Sequence, residues 1–287
     1  GIEDTSSVAN WLWLQSKTSP KDVWNALHLG ETAATRLDDN PKFWQWLEYV
    51  NMFRAKKGNH WFSDGDVFEI LAKTTPQADL AVIFQALRAV PGMKNAATIL
   101  QQYLFASASS ATRRWMNEVW LQAGESPQNV YTILRLSETP LEANRKFVQW
   151  FRFTDKYRAK VGESSYSDRQ TLEILMETRP WTAEEDLAAF FLSIKKISGL
   201  KKVGGSLETH LFRIWMETWE PKNVATVLGI RNSVSKVSKR DPRYEILKTF
   251  TLQYAAEKSG TATMEKVKEL FANNNPTAAL EAAVKVS

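Results

Sequence analysis

The chain has 287 residues, of which 44% are apolar, with twelve tryptophans and no cysteine. This length can bury a core and hold one large or two to three ordinary domains; the missing thiols exclude disulfides, thiolate metal sites and cysteine nucleophiles, as suits a reducing compartment. The net charge of +5 is mild and the charges interleave, as in DRQTLEILMETRPWTAEED (168–186), a pattern of solvated surface more than of a nucleic-acid footprint. No run approaches the roughly 18 apolar residues that span a bilayer, and no signal peptide opens the chain. Its first residue is Gly1, so the expectation is of an N-terminal leader already removed.

In chain order, the first phrase is WLQSKTSPKDV (13–23). Pro20 suits the first position of a helix and Ser19 its N-cap. The next predicted helix is KFWQWLEYVNMF (42–53), whose Phe43, Trp46, Leu47, Val50 and Phe53 share one face at helical spacing. FSDGDVFEIL and, after Pro76, DLAVIF (79–84) follow.

The pattern then begins again. WLQAGESPQNV (120–130) repeats the first phrase, and Trp13, Leu14, Leu27 and Leu29 match Trp120, Leu121, Leu134 and Leu136 at one offset. KFVQWFRFTDKYRAKVG (146–162) repeats 42–58, keeping Phe147, Trp150, Phe151 and Tyr157 on the apolar face. SDRQ (167–170) and TAEE (182–185) read as capping boxes, the second restarting its helix after a three-residue insertion that follows Pro180. A third copy opens at WMETWEPKNV (215–224), continues in YEILKTFTLQYAAEKSG (244–260), and closes with MEKVKELF and NPTAALEAAV as two last helices.

No alternating β-branched run of useful length occurs, which predicts an all-α chain. The repeat is a little over 100 residues long, too long for the helical solenoid repeats of roughly 33 to 47, so each unit should be a small bundle. The units are expected at 1–108, 109–212 and 213–287, the last shorter or degenerate.

Catalytic chemistry finds little support. His28, His60 and His210 have no metal-ligand neighbour at helical spacing. KKVGGSLET (201–209) lacks the phosphate-loop spacing and reads as a turn between helices, and Glu184 and Glu185 open a helix, where its dipole favours negative charge. YEIL (244–247) and FEIL (68–71) fit an aromatic-x-x-aliphatic pattern that adds a strand to autophagy ubiquitin-like proteins, but both fall on predicted core faces.

A phrase of the form WLxxxxSPxxVxxxLxL, followed by a helix with a tryptophan and a tyrosine on its core face, resembles the tandem L-W-Y modules of secreted RXLR effectors from oomycete plant pathogens. The likeness covers nearly the whole chain. The L phrase falls on Trp13, Leu14, Pro20, Val23, Leu27 and Leu29, then on Trp120, Leu121, Pro127, Val130, Leu134 and Leu136. The W position falls on Trp46 and Trp150, and the Y position on Phe53, which keeps an aromatic ring, and Tyr157; in the third copy Leu247 replaces the tryptophan and Tyr254 holds the Y place. The family's translocation motif, RxLR followed by EER, does not stand near the start.

The resemblance implies that the W and Y residues are core and that each L phrase docks its unit onto the one before, giving an elongated rod. It implies export, entry into plant cells and action in host cytoplasm or nucleus as a non-catalytic scaffold for a host protein, with no cofactor, no metal and no membrane insertion. Some members recruit the scaffold subunit of the host type 2A protein phosphatase through two adjacent units, redirecting dephosphorylation to suppress immunity; here such a pair is 13–212. A nucleic-acid-binding effector, prompted by the pI near 9.2, or an autophagy-protein-binding one is the alternative. Large aromatics present in one copy only are free of the shared core, and Trp61, facing Ser165, and Trp181, facing Gln77, are the candidate partner-binding residues. Trp44, facing Val148, and Trp11 and Trp219 also lack an aromatic counterpart.

Overall fold

The computed structural model of the protein describes residues 2 to 31 and 37 to 285. Gly1, on which the expectation of a removed leader rests, lies outside them. The described residues form sixteen α-helices with short 3-10 turns and no strand among them, so the chain is all-α. Its contacts divide it into two compact units, Gly1–Leu134 and Arg135–Ser287.

The first unit holds α1 (Ile2–Gln15), α2 (Pro20–Ala26), α3 (Pro41–Lys57), α4 (Asp64–Thr74), α5 (Gln77–Leu87), α6 (Lys94–Ser107), α7 (Ser110–Gln122) and α8 (Pro127–Ile133). Proline stands at the start of α2, α3 and α8, and the side chains of Ser19, Asn40 and Ser126 accept from the first-turn amides of Asp22, Lys42 and Asn129. The ring pre-sets φ and needs no donor there, while the cap satisfies an amide the helix itself cannot.

Trp46 on α3 is fully buried and organises this unit. Its indole meets Trp24 edge-on at 4.8 Å and stacks on Phe43 at 6.2 Å. Its Nε1 donates to the Pro20 carbonyl at 2.7 Å, and the Tyr49 hydroxyl, one turn on, donates to the Thr18 carbonyl at 2.5 Å. One helix face therefore both fills the core and fixes the turn between α1 and α2. Truncating such a side chain to alanine costs roughly 3–5 kcal/mol.

The second copy of the L phrase, α7 and α8, packs within the same compact unit, on α5 and α6. Trp120 is fully buried there and donates through Nε1 to Gln101 Oε1 at 2.6 Å. Glu125 receives Gln85 Nε2 at 2.8 Å, Arg88 Nε at 2.7 Å and Asn129 Nδ2 at 2.8 Å. Burial pushes that carboxyl up, but the hydrogen bonds from Arg88, Gln85 and Asn129 and the Arg88 charge outweigh it and hold its pKa below the ordinary glutamate value.

The second unit holds α9 (Arg145–Val161), α10 (Asp168–Thr178), α11 (Glu184–Lys195), α12 (Lys201–Trp215), α13 (Pro221–Val227), α14 (Pro242–Lys258), α15 (Thr261–Ala272) and α16 (Pro276–Val284). Trp150 on α9 is fully buried, and Phe147 and Phe151 of the same helix meet Phe190 of α11 at 5.0 and 5.8 Å. Helix α14 is the third relative of α3, with Leu247 fully buried where the others carry tryptophan. Of the remaining repeat residues, Leu27, Leu29, Phe53, Leu134 and Leu136 are buried, while Trp13, Leu14, Leu121, Tyr157 and Tyr254 lie half-buried at the rim.

Two local expectations are corrected. TAEE is not a capping box: α11 begins at Glu184 with Ala183 in the cap position, because the Thr182 amide closes a turn onto the Arg179 carbonyl at 3.0 Å. KKVGGSLET is not a turn but the first part of α12. Its Gly204 faces α11 so closely that a Cβ would stand 2.9 Å from the Lys195 amide nitrogen and 3.1 Å from the Phe191 carbonyl oxygen, so the missing side chain serves helix packing rather than chain reversal. SDRQ does form its box, from Ser167 to Gln170, and Ser63 with Asp66 forms a further one on α4.

The two copies differ in how they satisfy equivalent polar groups. Arg158 pairs with both Asp155 and Asp168. Its counterpart Arg54 reaches Asp64 at 2.8 Å and the Phe62 carbonyl at 2.6 Å, but Asn51 replaces the other aspartate and Nη2 is left buried without a hydrogen-bond partner. Asn51→Asp should therefore raise stability by about 1 kcal/mol, read as a higher urea midpoint; an unchanged or lower midpoint would show that Arg54 gains nothing from a second acceptor.

Glu208, at the place of Gln101, is buried, takes one bond from Lys195 Nζ at 2.6 Å and leaves Oε1 without a partner. Burial pushes its pKa above the ordinary glutamate value, more than Lys195 pulls it down. A raised folded-state pKa means that folding favours the protonated form, so this contribution is fully present below about pH 4.5 and is lost as pH rises through the folded value. Glu208→Gln should accordingly gain on the native chain as pH rises from 4.5 to 7.5. Thermal melts that differ by the same amount at both pH values would refute this.

Candidate protein-docking surface

Trp61 stands out beside a residue that turns inward, Phe62. Gly58, at φ 101°, ends α3 in a conformation that disfavours a side chain, and the 3-10 turn Asn59–Trp61 follows. Phe62 then packs edge-on against Trp46 at 6.5 Å, so the residue before it points to water. Trp61 is 65% exposed, with the His60 ring beside it at 5.6 Å.

Trp181 is 96% exposed and sits on the inserted turn before α11. The turn is fixed from below. Arg179 donates to the carbonyls of Leu136 and Thr139 and lies 5.4 Å over the Phe147 ring. Glu184, Glu185 and Asp186 fill the first turn of α11, which follows it in the chain.

The other tryptophans without an aromatic counterpart divide. Trp44 is half-buried and donates to the Asp38 carbonyl at 2.9 Å, and Trp219 is half-buried 5.3 Å from Trp215, so both fill local gaps. Trp11 is exposed on α1 with Val8 and Leu12. The sequence reading missed Tyr103 and Ile99, exposed on α6, with Tyr103 stacked on Phe68 at 5.7 Å. Their counterparts are His210 and Ser206, so the comparison of copies could have found them had it extended beyond tryptophan. Trp115, 38% exposed and bonded through Nε1 to the Ala78 carbonyl, was missed as well.

The ionisable groups are occupied elsewhere. His28 faces Glu31 at 3.2 Å on the surface, and His210 has its pKa lowered by burial and then by Arg213. Among the described residues no group of three histidine, cysteine, aspartate or glutamate side chains could hold a metal ion, and no helix is long and apolar enough to cross a membrane. A depression of about 400 Å³ near Arg88, Lys94 and Glu125 is open, and the Glu125 carboxylate is bonded within the protein. Tyr244, Leu247 and Leu71 are buried in helices, so neither YEIL nor FEIL is presented as an extended strand.

Known proteins resemble this chain in sequence. The family of the RXLR phytopathogen effector protein WY-domain matches residues 52–102 and 156–209, and the WY-domain of effector PexRD54 matches residues 8–50. The RxLR effector protein PexRD18 of Phytophthora infestans is 40% identical over 278 residues, 95% of this chain and 57% of that protein. RxLR effector protein 54 of the same organism is 37% identical over 183 residues, 62% of this chain and 48% of that protein. The crystal structure of RXLR effector PexRD54 from Phytophthora infestans aligns over 88% of this chain and 93% of that one at 27% identity, with a TM-score of 0.32. The chain spans about half the length of the curated relatives it matches. By its matched WY domains and its relatives, the chain belongs to the oomycete RXLR effectors of the WY-domain family.

Proposed function

We propose that the chain acts inside plant cells, in cytoplasm or nucleus, as a non-catalytic virulence scaffold that binds a host protein through Trp61 and Trp181. One observation carries the reading: these two indoles are 65% and 96% exposed, and the other copy of the repeat has Ser165 and Gln77 in their places. Neither ring is needed to hold the shared fold, and an exposed tryptophan on a fixed base is a strong interface anchor because it buries much area at little entropic cost.

Within that reading the partner is the scaffold subunit of the host type 2A protein phosphatase, engaged by the adjacent repeats within 13–212 so that dephosphorylation is redirected and immunity suppressed. The division into repeats at 1–108, 109–212 and 213–287 belongs to the same proposal, since each repeat brings its own copy-specific surface.

Titrating the purified chain onto immobilised phosphatase scaffold subunit tests both parts. Trp181→Ala and Trp61→Ala should each lower affinity about tenfold or more while leaving stability within about 0.5 kcal/mol, as expected of exposed positions. No binding by the unaltered chain would remove the phosphatase from the proposal, and full binding by both variants would remove the tryptophans.

A further inference from the structure

Most of the net charge of this chain sits in one loop. The segment GIRNSVSKVSKRD (229–241) carries four cations and one aspartate, +3 of the chain's +5, so the charges that interleave elsewhere are here collected. The fold does not require it. The corresponding segment of the second copy, RLSETPLEAN (135–144), has one arginine and two glutamates, and that arginine, Arg135, is paired to Glu138 at 2.7 Å.

The loop joins α13 to α14 and is a built surface. Ile230 and Val234 are buried, the amides of Lys236 and Val237 bond back to the Ser233 carbonyl at 2.8 and 3.0 Å, and the Asp241 amide bonds to the Ser238 carbonyl at 2.9 Å. Arg243 is held by Asp241 at 2.7 Å. Arg231, Lys236, Lys239 and Arg240 are exposed, and no ion pair among the described residues includes any of them. Asn232, Ser235 and Ser238, also exposed, add neutral donors between the cations. None of the large exposed hydrophobic side chains lies in this segment.

That last point selects the partner. A protein interface needs a desolvated apolar or aromatic centre, and this loop offers none. Cations and hydroxyls alone gain their free energy from counterion release, and the backbone of a nucleic-acid duplex, with one negative charge per roughly 1.7 Å of axis, is the anion dense enough to supply it. Serine, asparagine, lysine and arginine are also among the side chains that bond phosphate oxygens, contacts that carry no sequence information. We propose that the 231–240 loop binds the phosphodiester backbone of double-stranded nucleic acid, without sequence preference. This goes beyond the scaffold reading and uses different residues, so either can fail alone.

The test is fluorescence anisotropy of a labelled duplex of about 20 base pairs, as DNA and as RNA, titrated with the full chain at several salt concentrations. Four neutralised phosphates predict a log–log salt slope near −3.6, hence an affinity loss of about a hundredfold between 50 and 200 mM salt. Replacing Arg231, Lys236, Lys239 and Arg240 together by glutamine should weaken binding at 50 mM at least tenfold with helicity unchanged. Replacing Lys56, Lys57, Lys201 and Lys202, an equal charge taken from elsewhere, should not. No binding at 50 mM with protein at about 100 μM, binding indifferent to salt, or equal loss from the two quadruple variants would overturn the proposal. So would tighter binding to phosphatidylserine-containing vesicles or to polyglutamate than to the duplex, since the loop would then serve a membrane or an acidic protein.

Discussion

The buried indole of Trp46 is the contact on which the first unit depends. Its ring closes the core between Trp24 and Phe43, and its single donor holds the Pro20 carbonyl. A leucine could fill part of that volume but could not hold the turn, which is why a tryptophan at this place specifies geometry as well as burial. Trp120, at another position of the repeat, applies the same physics, its donor on Gln101. Helix α14 shows the alternative. Leu247 fills the space without a donor, and the loop before it carries most of the chain's excess charge.

A protein built from copies of one bundle carries its own controls. Arg158 has two carboxylates and Arg54 one; Gln101 is an amide where Glu208 is a carboxyl short of a donor. Since the surrounding helices correspond, such differences isolate the cost of a missing partner or of a buried charge more cleanly than comparison with an unrelated protein could. The same reasoning separates architecture from function. What both copies keep, such as Trp46 and Trp150, holds the bundle, and what one copy alone exposes, such as Trp61 and Trp181, is available for a partner.

Helices and repeat were legible in the sequence because their signals are local and periodic. Pro20, Pro127 and Pro221 mark helix starts, and the apolar face of 42–53 reads directly as α3. Failures came where tertiary contact overrides a local rule. The paired glycines at 204 and 205 spell a turn, yet α11 comes so near that only a residue without a side chain fits at Gly204, and the helix runs on. Thr182 spells a cap, but its amide is drawn into the turn that raises Trp181. At the candidate site, comparison of copies singled out Trp61 and Trp181; it could not tell them from Trp44, whose indole bonds to the Asp38 carbonyl and is half-buried. That distinction depends on which ring finds a neighbour, which only the folded chain shows.

The central claim is that the singly exposed indoles are where a host protein docks. The measurement that tests it most directly places a photo-crosslinking amino acid in turn at positions 61, 181, 44 and 219, expresses each full chain in plant cells, irradiates, and maps the adducts by mass spectrometry. Adducts to one host protein are expected at 61 and 181 and few at 44 and 219, whose rings are half-buried. Adducts absent from 61 and 181, or as frequent at the half-buried positions, would contradict it.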